Sequence, residues 1–350
     1  MTKIIFPSRY SALSLLNRHL KSPKYQGCKF IILIDENTYN NCLPLLISQV
    51  SALEEAEFVE VPIGEEAKSL EIASQVISSL LESTPGLGRN NVVLINLGGG
   101  CVSDLGGFIA SVFRRGIRYI NVPTTLVSMI DASIGGKSGL NHDGIKNAIG
   151  VINQPETICI EPSFLDTLPS AEMKNGLFEM LKTFILSNPD NYEALRNSVE
   201  HNEILLSDSL IQECVSFKHS VVKADPNEHG IRKILNFGHT FGHAIESYCA
   251  LPHGEAVGIG MVCALYLSVK KLGLEKSVLA SYLKAIKSYI KIPSFNLKDV
   301  ESILELIKQD KKNSEGLILC VLLQEIGSPV IDVAIDENEI RDTLLNLKKL

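Results

Sequence analysis

A chain of 350 residues with 45% hydrophobic and 21% charged residues is long enough for two domains, which excludes a disordered or fibrous protein. A formal net charge of −7 argues against non-specific binding to nucleic acid, and the best apolar run, residues 256–269, is shorter than the ~20 residues that span a bilayer. Eight cysteines without a Cys-x-x-Cys pair argue against a thiolate zinc site or a disulfide scaffold and fit reduced thiols in a cytoplasm. The opening Met-Thr-Lys-Ile-Ile-Phe-Pro has no long apolar core of the kind a signal peptide needs. No nucleic-acid or membrane partner is expected.

From Lys29 to Pro162, short β-branched runs alternate with helical patterns. The strand candidates are 30–34, 58–63, 92–97, 119–122 and 157–160, and residues 40–53 and 69–81 carry helical spacing between them. That alternation predicts a parallel sheet covered by helices, a Rossmann-like α/β domain over residues 1–162 that holds a nucleotide at the carboxyl ends of its strands. Beyond residue 163 the pattern becomes mainly helical, over 172–187, 209–224, 233–249 and 254–272, with two β-like runs at 317–323 and 330–334 before a last helix. A second, mainly α-helical domain over 163–350 is therefore expected.

Within the first half, Val92 to Leu97 run into Gly98-Gly99-Gly100 and then a helical pattern. Glycines there let the backbone approach a pyrophosphate at a helix start, although a triple glycine alone marks only a tight turn and the Gly-x-Gly-x-x-Gly spacing is absent. Asp35 ends the first long strand, where an acidic residue can accept from a ribose. Arg114, Arg115 and Arg118, followed by Lys137 and Lys146-Asn147 among glycines, read as a basic binding loop for an anion, without a P-loop pattern.

The second half carries three histidines within fifteen positions. His239 and His243 are four apart and share a helical face, and His253 follows a proline-marked loop. Catalytic zinc takes three nitrogen or carboxylate ligands and keeps one position open. Glu179 and Lys182 lie at i, i+3 in a helical pattern with apolar flanks. Such a pair is ordinarily a surface ion pair, but burial would require a further partner, so Glu179 is the candidate third ligand of a two-His, one-Glu site.

Together, the Gly98 to Asp104 turn, Arg115-Gly-Ile, Pro123-Thr-Thr-Leu, Asp131 to Lys137, Lys146-Asn147, Thr167-Leu-Pro, Gly-Leu-Phe-Glu179-Met-Leu-Lys182, Arg232 through His243 and His253-Gly-Glu resemble the 3-dehydroquinate synthase family over nearly the whole chain. The resemblance implies an NAD-binding N-terminal domain, a metal- and substrate-binding C-terminal domain, and a cytoplasmic homodimer. It also implies conversion of an anionic sugar-acid phosphate, 3-deoxy-D-arabino-heptulosonate 7-phosphate, to 3-dehydroquinate and phosphate in the shikimate pathway. NAD and Zn2+, or Co2+, are the implied cofactors.

By position, the resemblance makes Glu179, His239 and His253 the metal ligands. Lys137, Lys182, Lys218, Arg232, Asn236 and His243 fall around the substrate, with Arg115, Asn147 and one of Lys311 and Lys312. The NAD positions are Asp35, Asn37, Glu65, Lys68, Gly99, Gly100, Asp104, Thr124, Thr125, Lys137, Lys146 and Thr167. Phe178, Ile145 and Pro226-Asn227 depart from the family pattern. The alternatives are another sugar-phosphate cyclase and a glycerol dehydrogenase-like, metal- and NAD-dependent alcohol dehydrogenase.

Overall fold

The computed structural model describes residues 2–203, 206–310 and 318–350; Lys311 and Lys312 lie outside the described residues. The chain divides into two compact units, Met1–Met173 and Lys174–Leu350. The division falls later than the change of sequence pattern at residue 162. Among the described residues, no helix is long and apolar enough to cross a membrane.

In the first unit the strands are β1 (Lys3–Ile5), β2 (Lys29–Asp35), β3 (Glu57–Val61), β4 (Val92–Gly98), β5 (Arg118–Pro123), β6 (Lys137–His142), β7 (Ile145–Ile152) and β8 (Thr157–Cys159). Helices α1 (Ala12–Leu20), α2 (Glu36–Asn41), α3 (Leu43–Gln49), α4 (Leu70–Ser83) and α5 (Gly100–Val112) accompany them. Six strands form one parallel sheet in the order β1-β8-β5-β4-β2-β3. β4 is buried along its whole length, as a central strand covered on both faces must be, and this explains its unbroken apolar run. The chain leaves β2 outward to β3 and returns to β4 on the other side, so the strand order reverses between β2 and β4. A crevice at such a switch point is where open α/β sheets bind ligands.

The stretch read as a loop from Asp131 to Asn147 is mostly a hairpin. β6 and β7 pair antiparallel, and Asp143 and Gly144 turn the chain with φ of +49° and +76°. Positive φ at both central residues is what a two-residue hairpin turn needs, and Asp-Gly supplies it.

The second unit contains α6 from Lys174 onward (the whole helix is Ser170–Ser187), α7 (Pro189–Glu200), α8 (Asp208–Ala224), α9 (His239–Cys249), α10 (His253–Leu272), α11 (Lys276–Ile286), α12 (Leu297–Asp310) and α13 (Glu337–Asn346). An antiparallel hairpin of β9 (Ile318–Glu325) and β10 (Ser328–Ile335) completes it. α6 is buried on every side from Asn175 to Leu186, and α10 almost throughout from Gly254 to Ser268. They form the centre of the unit because they have no polar face to give to water.

The helical run expected over 233–249 is broken. Residues 231–236 form a 3-10 turn, and Gly238 takes a left-handed conformation, φ +79°, before α9 begins at His239. The break lets α9 lie against α10 at backbone distance. A Cβ on Gly260 would fall 2.0 Å from the Gly238 carbonyl oxygen and 2.7 Å from the Gly242 nitrogen, and one on Gly254 would fall 2.4 Å from the Asn175 backbone.

Gly260→Ala is accordingly expected to lower the free energy of unfolding by about 1–3 kcal/mol, the ordinary cost of overpacking. Gly88→Ala, at a position with nothing within 4 Å and ordinary φ, should change it by less than ~1 kcal/mol. Urea melts of the two variants beside the parent chain check both.

Candidate metal centre and nucleotide crevice

Glu179 lies in the middle of the apolar helix α6 and is wholly buried, and Lys182, one turn on, is 2% exposed. Their side chains form an ion pair between Lys182 Nζ and Glu179 Oε2. The Nε2 atoms of two histidines face the other carboxylate oxygen, His253 at 3.3 Å and His239 at 3.7 Å from Oε1. Each ring is held through its second nitrogen: His239 Nδ1 lies 3.2 Å from the carbonyl of Phe237, and His253 Nδ1 2.9 Å from Glu246 Oε2. Those contacts leave both Nε2 atoms turned toward Glu179.

The donor set fits a metal ion. Neither Glu179 oxygen receives a hydrogen bond of good geometry, although both are shut off from water. A buried carboxylate without donors is costly unless cations meet it. One donor atom each from Glu179, His239 and His253 lies within 4.8 Å of the others, the one such cluster among the described residues. Ligands about 2.0–2.1 Å from a tetrahedral zinc stand roughly 3.3 Å apart, close to the separations observed. His243, which spacing made an equal candidate, is outside this group; its ring stands edge-on to His239 with centroids 5.0 Å apart.

Burial alone would push the Glu179 carboxyl up, but Lys182, His253 and His239 outweigh it and hold it well below the usual carboxylate range. His239 is pushed well down by burial and then by Lys182, so it stays neutral. Burial also opposes charge on His253, yet Glu179 and Glu246 raise it to about 9. The metal-free centre is thus balanced by Lys182 and a protonated His253 against two carboxylates.

Phe178, a departure from the family pattern, is fully buried and packs where α10 has Gly258, whose Cβ would come 2.9 Å from the Phe178 ring. The large side chain is matched by a missing one. Arg232 is 3% exposed and donates from Nη1 to the Pro226 carbonyl at 2.5 Å. Its loop is organised by Asp225, which accepts from the backbone N–H groups of His229, Gly230 and Arg232. Asn236 donates to Glu228 at 2.6 Å. Lys218 is half-buried on α8, which packs against the 3-10 turn that carries Arg232 and Asn236. Asp225 and Glu228 were not singled out from the sequence, where nothing distinguishes them from surface acids.

In the first unit, most of the expected nucleotide positions gather at the carboxyl ends of the parallel strands. Asp35 ends β2, Glu65 and Lys68 follow β3, Gly99 and Gly100 open α5 after β4, and Thr124 and Thr125 follow β5. Gly99 caps α5 without a side-chain hydrogen bond, so the helix start keeps amide donors for an anion. A Cβ on Gly99 would stand 3.2 Å from the Thr125 methyl, and one on Gly100 3.3 Å from Ala132. Asp35 has a local task as well, since its Oδ1 accepts from Thr38 N at 2.8 Å in a capping box. Asn37 is exposed on α2, and Thr167 closes a 3-10 turn with its hydroxyl 3.3 Å from the Phe164 carbonyl.

Lys68 ties this region together. It is 4% exposed, and its ammonium donates to Asp104 at 2.7 Å and to Asn147 at 2.6 Å, while Glu65 accepts from Asn141 at 2.7 Å. A cavity of about 400 Å³ is lined by Asp104, Lys137, Ser138, Gly139, Asn147 and Gly150. Burial would push the Glu65 carboxyl up, but Lys68, the hydrogen bond from Asn141 and Lys146 on exposed β7 outweigh it and hold it below its usual range. Ile145, beside it, is 64% exposed.

The basic cluster read from the sequence does not hold together. Arg114 donates to the Thr84 and Leu87 carbonyls, and Arg118 to those of Lys24 and Asn90 and to Cys28 Sγ. Arg114 and Arg115 precede β5 and Arg118 opens it, so the strand's length of about 16 Å separates them from Thr124 beyond its other end. Arg115 is not among the residues that line the cavity of Lys137 and Asn147. Arginine satisfies loop carbonyls well because its planar fork reaches several at once, and sequence spacing does not reveal that use.

A profile of the 3-dehydroquinate synthase N-terminal domain matches residues 58–175, and one of the C-terminal domain matches residues 176–313. The chain belongs to the 3-dehydroquinate synthase family. It is 37% identical to 3-dehydroquinate synthase of Parabacteroides distasonis over 95% of this chain and 94% of that one. It is 39% identical to the enzyme of a Sulfurovum species over 86% of each. Among solved structures, 2-epi-5-epi-valiolone synthase of Streptomyces hygroscopicus, with NAD+ and Zn2+ bound, shares its fold with a TM-score of 0.82 and 24% identity, covering all of this chain and 97% of that one. Membership of the 3-dehydroquinate synthase family makes the chain an enzyme of the lyase class, as the resemblance implied.

Glu179→Gln strips Lys182 of its buried carboxylate and is expected to cost the metal-free protein about 3–5 kcal/mol. Glu179→Gln combined with Lys182→Met should recover much of that loss. Urea titration in the presence of a chelator measures both.

Proposed function

We propose that the chain converts 3-deoxy-D-arabino-heptulosonate 7-phosphate to 3-dehydroquinate and inorganic phosphate, in aromatic amino-acid biosynthesis, with NAD and a zinc or cobalt ion. The single observation that carries this reading beyond family membership is the convergence of Glu179, His239 and His253, with Lys182 beside them, in a chain whose first unit carries an open helix start at a sheet switch point. When bound, NAD takes up and returns a hydride, and the metal serves as a Lewis acid on substrate oxygens.

Glu179, His239 and His253 are the proposed metal ligands. The reaction needs two further things from the chain: cations for a doubly anionic substrate, and a group that moves protons. Lys182, Lys218, Arg232 and Asn236 supply positive charge and donors in the second unit, and Lys137 and Asn147 in the first. Buried cations suit this task because low dielectric strengthens their pull on a carboxylate or phosphate. His243 projects from α9 one turn beyond His239 and is proposed as the proton-transfer group. The nucleotide is assigned to the crevice at Asp35, Gly99, Gly100, Asp104, Thr124 and Thr125, with Asn37, Glu65, Lys68, Lys137, Lys146 and Thr167 around it. A cytoplasmic homodimer is the proposed assembly, to be read by light scattering.

Purified protein with NAD, zinc and the heptulosonate phosphate should release phosphate over many turnovers without accumulating NADH. Stoichiometric NADH from a simple alcohol, with no phosphate release, would support an alcohol dehydrogenase instead. Metal analysis separates the histidines. His239→Ala and His253→Ala should lose zinc, since a three-ligand site cannot spare one. His243→Ala should keep its zinc and lose ~10²- to 10⁴-fold in turnover. Zinc lost from His243→Ala and kept by His253→Ala would overturn the assignment.

A further inference from the structure

Glu246 touches the candidate metal centre through His253, and the reaction itself assigns it no task. It lies on α9, seven residues after His239, so the two share a helix face two turns apart. Its side chain is 11% exposed, and Oε2 stands 2.9 Å from Nδ1 of His253, whose other nitrogen points at Glu179. We infer that Glu246 is a positioning residue for the metal ligand His253, fixing its tautomer and ring orientation and thereby setting metal affinity. This rests on the reading that Glu179, His239 and His253 hold the metal.

A histidine that binds metal through Nε2 must carry its remaining proton on Nδ1, and an acceptor there selects that tautomer, pins the ring and makes Nε2 a stronger donor. The two imidazoles are served differently. His239 has the neutral carbonyl of Phe237, from its own chain segment two residues away. His253 opens α10, where the positive end of the helix dipole opposes any cation bound to it, and where Pro252 offers no side-chain cap. A carboxylate answers that field and a carbonyl would answer it less. One helix therefore supplies a ligand and the anchor of the other ligand, and neither can shift without the other.

A purely structural role, in which Glu246 only stabilises the start of α10, makes a different forecast. Apparent affinities for zinc and cobalt, by competition with a chelator, and the thermal stability of the metal-free protein should be measured for Glu246→Gln and Glu246→Ala. We expect ten- to hundredfold weaker metal binding in Glu246→Ala. Glu246→Gln, which keeps an acceptor oxygen but no charge, should fall between it and the parent, with metal-free stability close to the parent's. Parental metal affinity in both variants would overturn the inference, as would a loss of metal-free stability with affinity unchanged in Glu246→Gln. Glu179→Ala serves as the reference: metal retained there rejects the ligand assignment itself, whereas metal lost there but kept in both Glu246 variants rejects only the role of Glu246.

Discussion

The backbones of α6, α9 and α10 approach one another more closely than side chains permit, and the candidate metal centre depends on that approach. Gly254 meets the backbone of Asn175, Gly260 meets that of Gly238 and Gly242, and Gly258 leaves room for the ring of Phe178. Packed at that distance, three helices fix Glu179, His239 and His253 without loops between ligand and scaffold. Rigid placement of this kind is what a metal site needs, since a ligand misplaced by even part of an ångström loses much of its value. The same packing creates the difficulty the site must solve, because it buries an ionised carboxylate. Lys182 and the imidazole of His253 offset that cost in the metal-free protein. A divalent ion would do so more fully.

The first unit solves a different problem, the holding of a polar ligand at the end of an apolar sheet. α5 lies close on β4 of the sheet and on β6 of the hairpin because Gly106 and Gly107 leave room for the side chains of Asn96 and Ser138, which a Cβ would strike at 1.9 and 2.1 Å. Its start then stands with the ends of β2, β4 and β5 around it. Lys68 carries the arrangement further, since one buried ammonium links the turn after β3, helix α5 and the β7 strand of the hairpin. Its pKa is pulled down by burial but raised on balance by Asp104 and Glu65, so it remains a cation. It thus serves as a structural tie whatever it also contacts.

Local signals were legible where local physics decides. Five of the six parallel strands, all but the three-residue β1, and the α6, α8 and α10 segments follow from periodicity, since burial on one or both faces leaves a direct mark on residue order. Glu179 could be suspected because a charge inside an apolar helix must be met by something. The choice among His239, His243 and His253 could not be made from spacing, and came from the family resemblance, because it depends on which rings face α6. The hairpin at residues 137–152 is signalled in the sequence only by Asp143-Gly144, and the glycines and lysines beside that pair have the composition of an anion-binding loop as well. Gly238 broke an expected helix for a reason visible only in three dimensions, the closeness of Met261 and Val257. Arg114, Arg118, Asp225 and Glu228 show the same limit from the other side, since what a charged residue is spent on is set by the loops that come to meet it.

Glu179, His239 and His253, on α6, α9 and α10, stand as a preformed three-ligand set that could hold a metal ion. Anomalous diffraction at the zinc edge, from crystals grown with the metal, tests it most directly. One strong peak should lie about 2.0–2.2 Å from a Glu179 oxygen and from Nε2 of both His239 and His253, with those side chains close to the positions described. A peak coordinated by His243 in place of His253, or none within reach of Glu179, would contradict it.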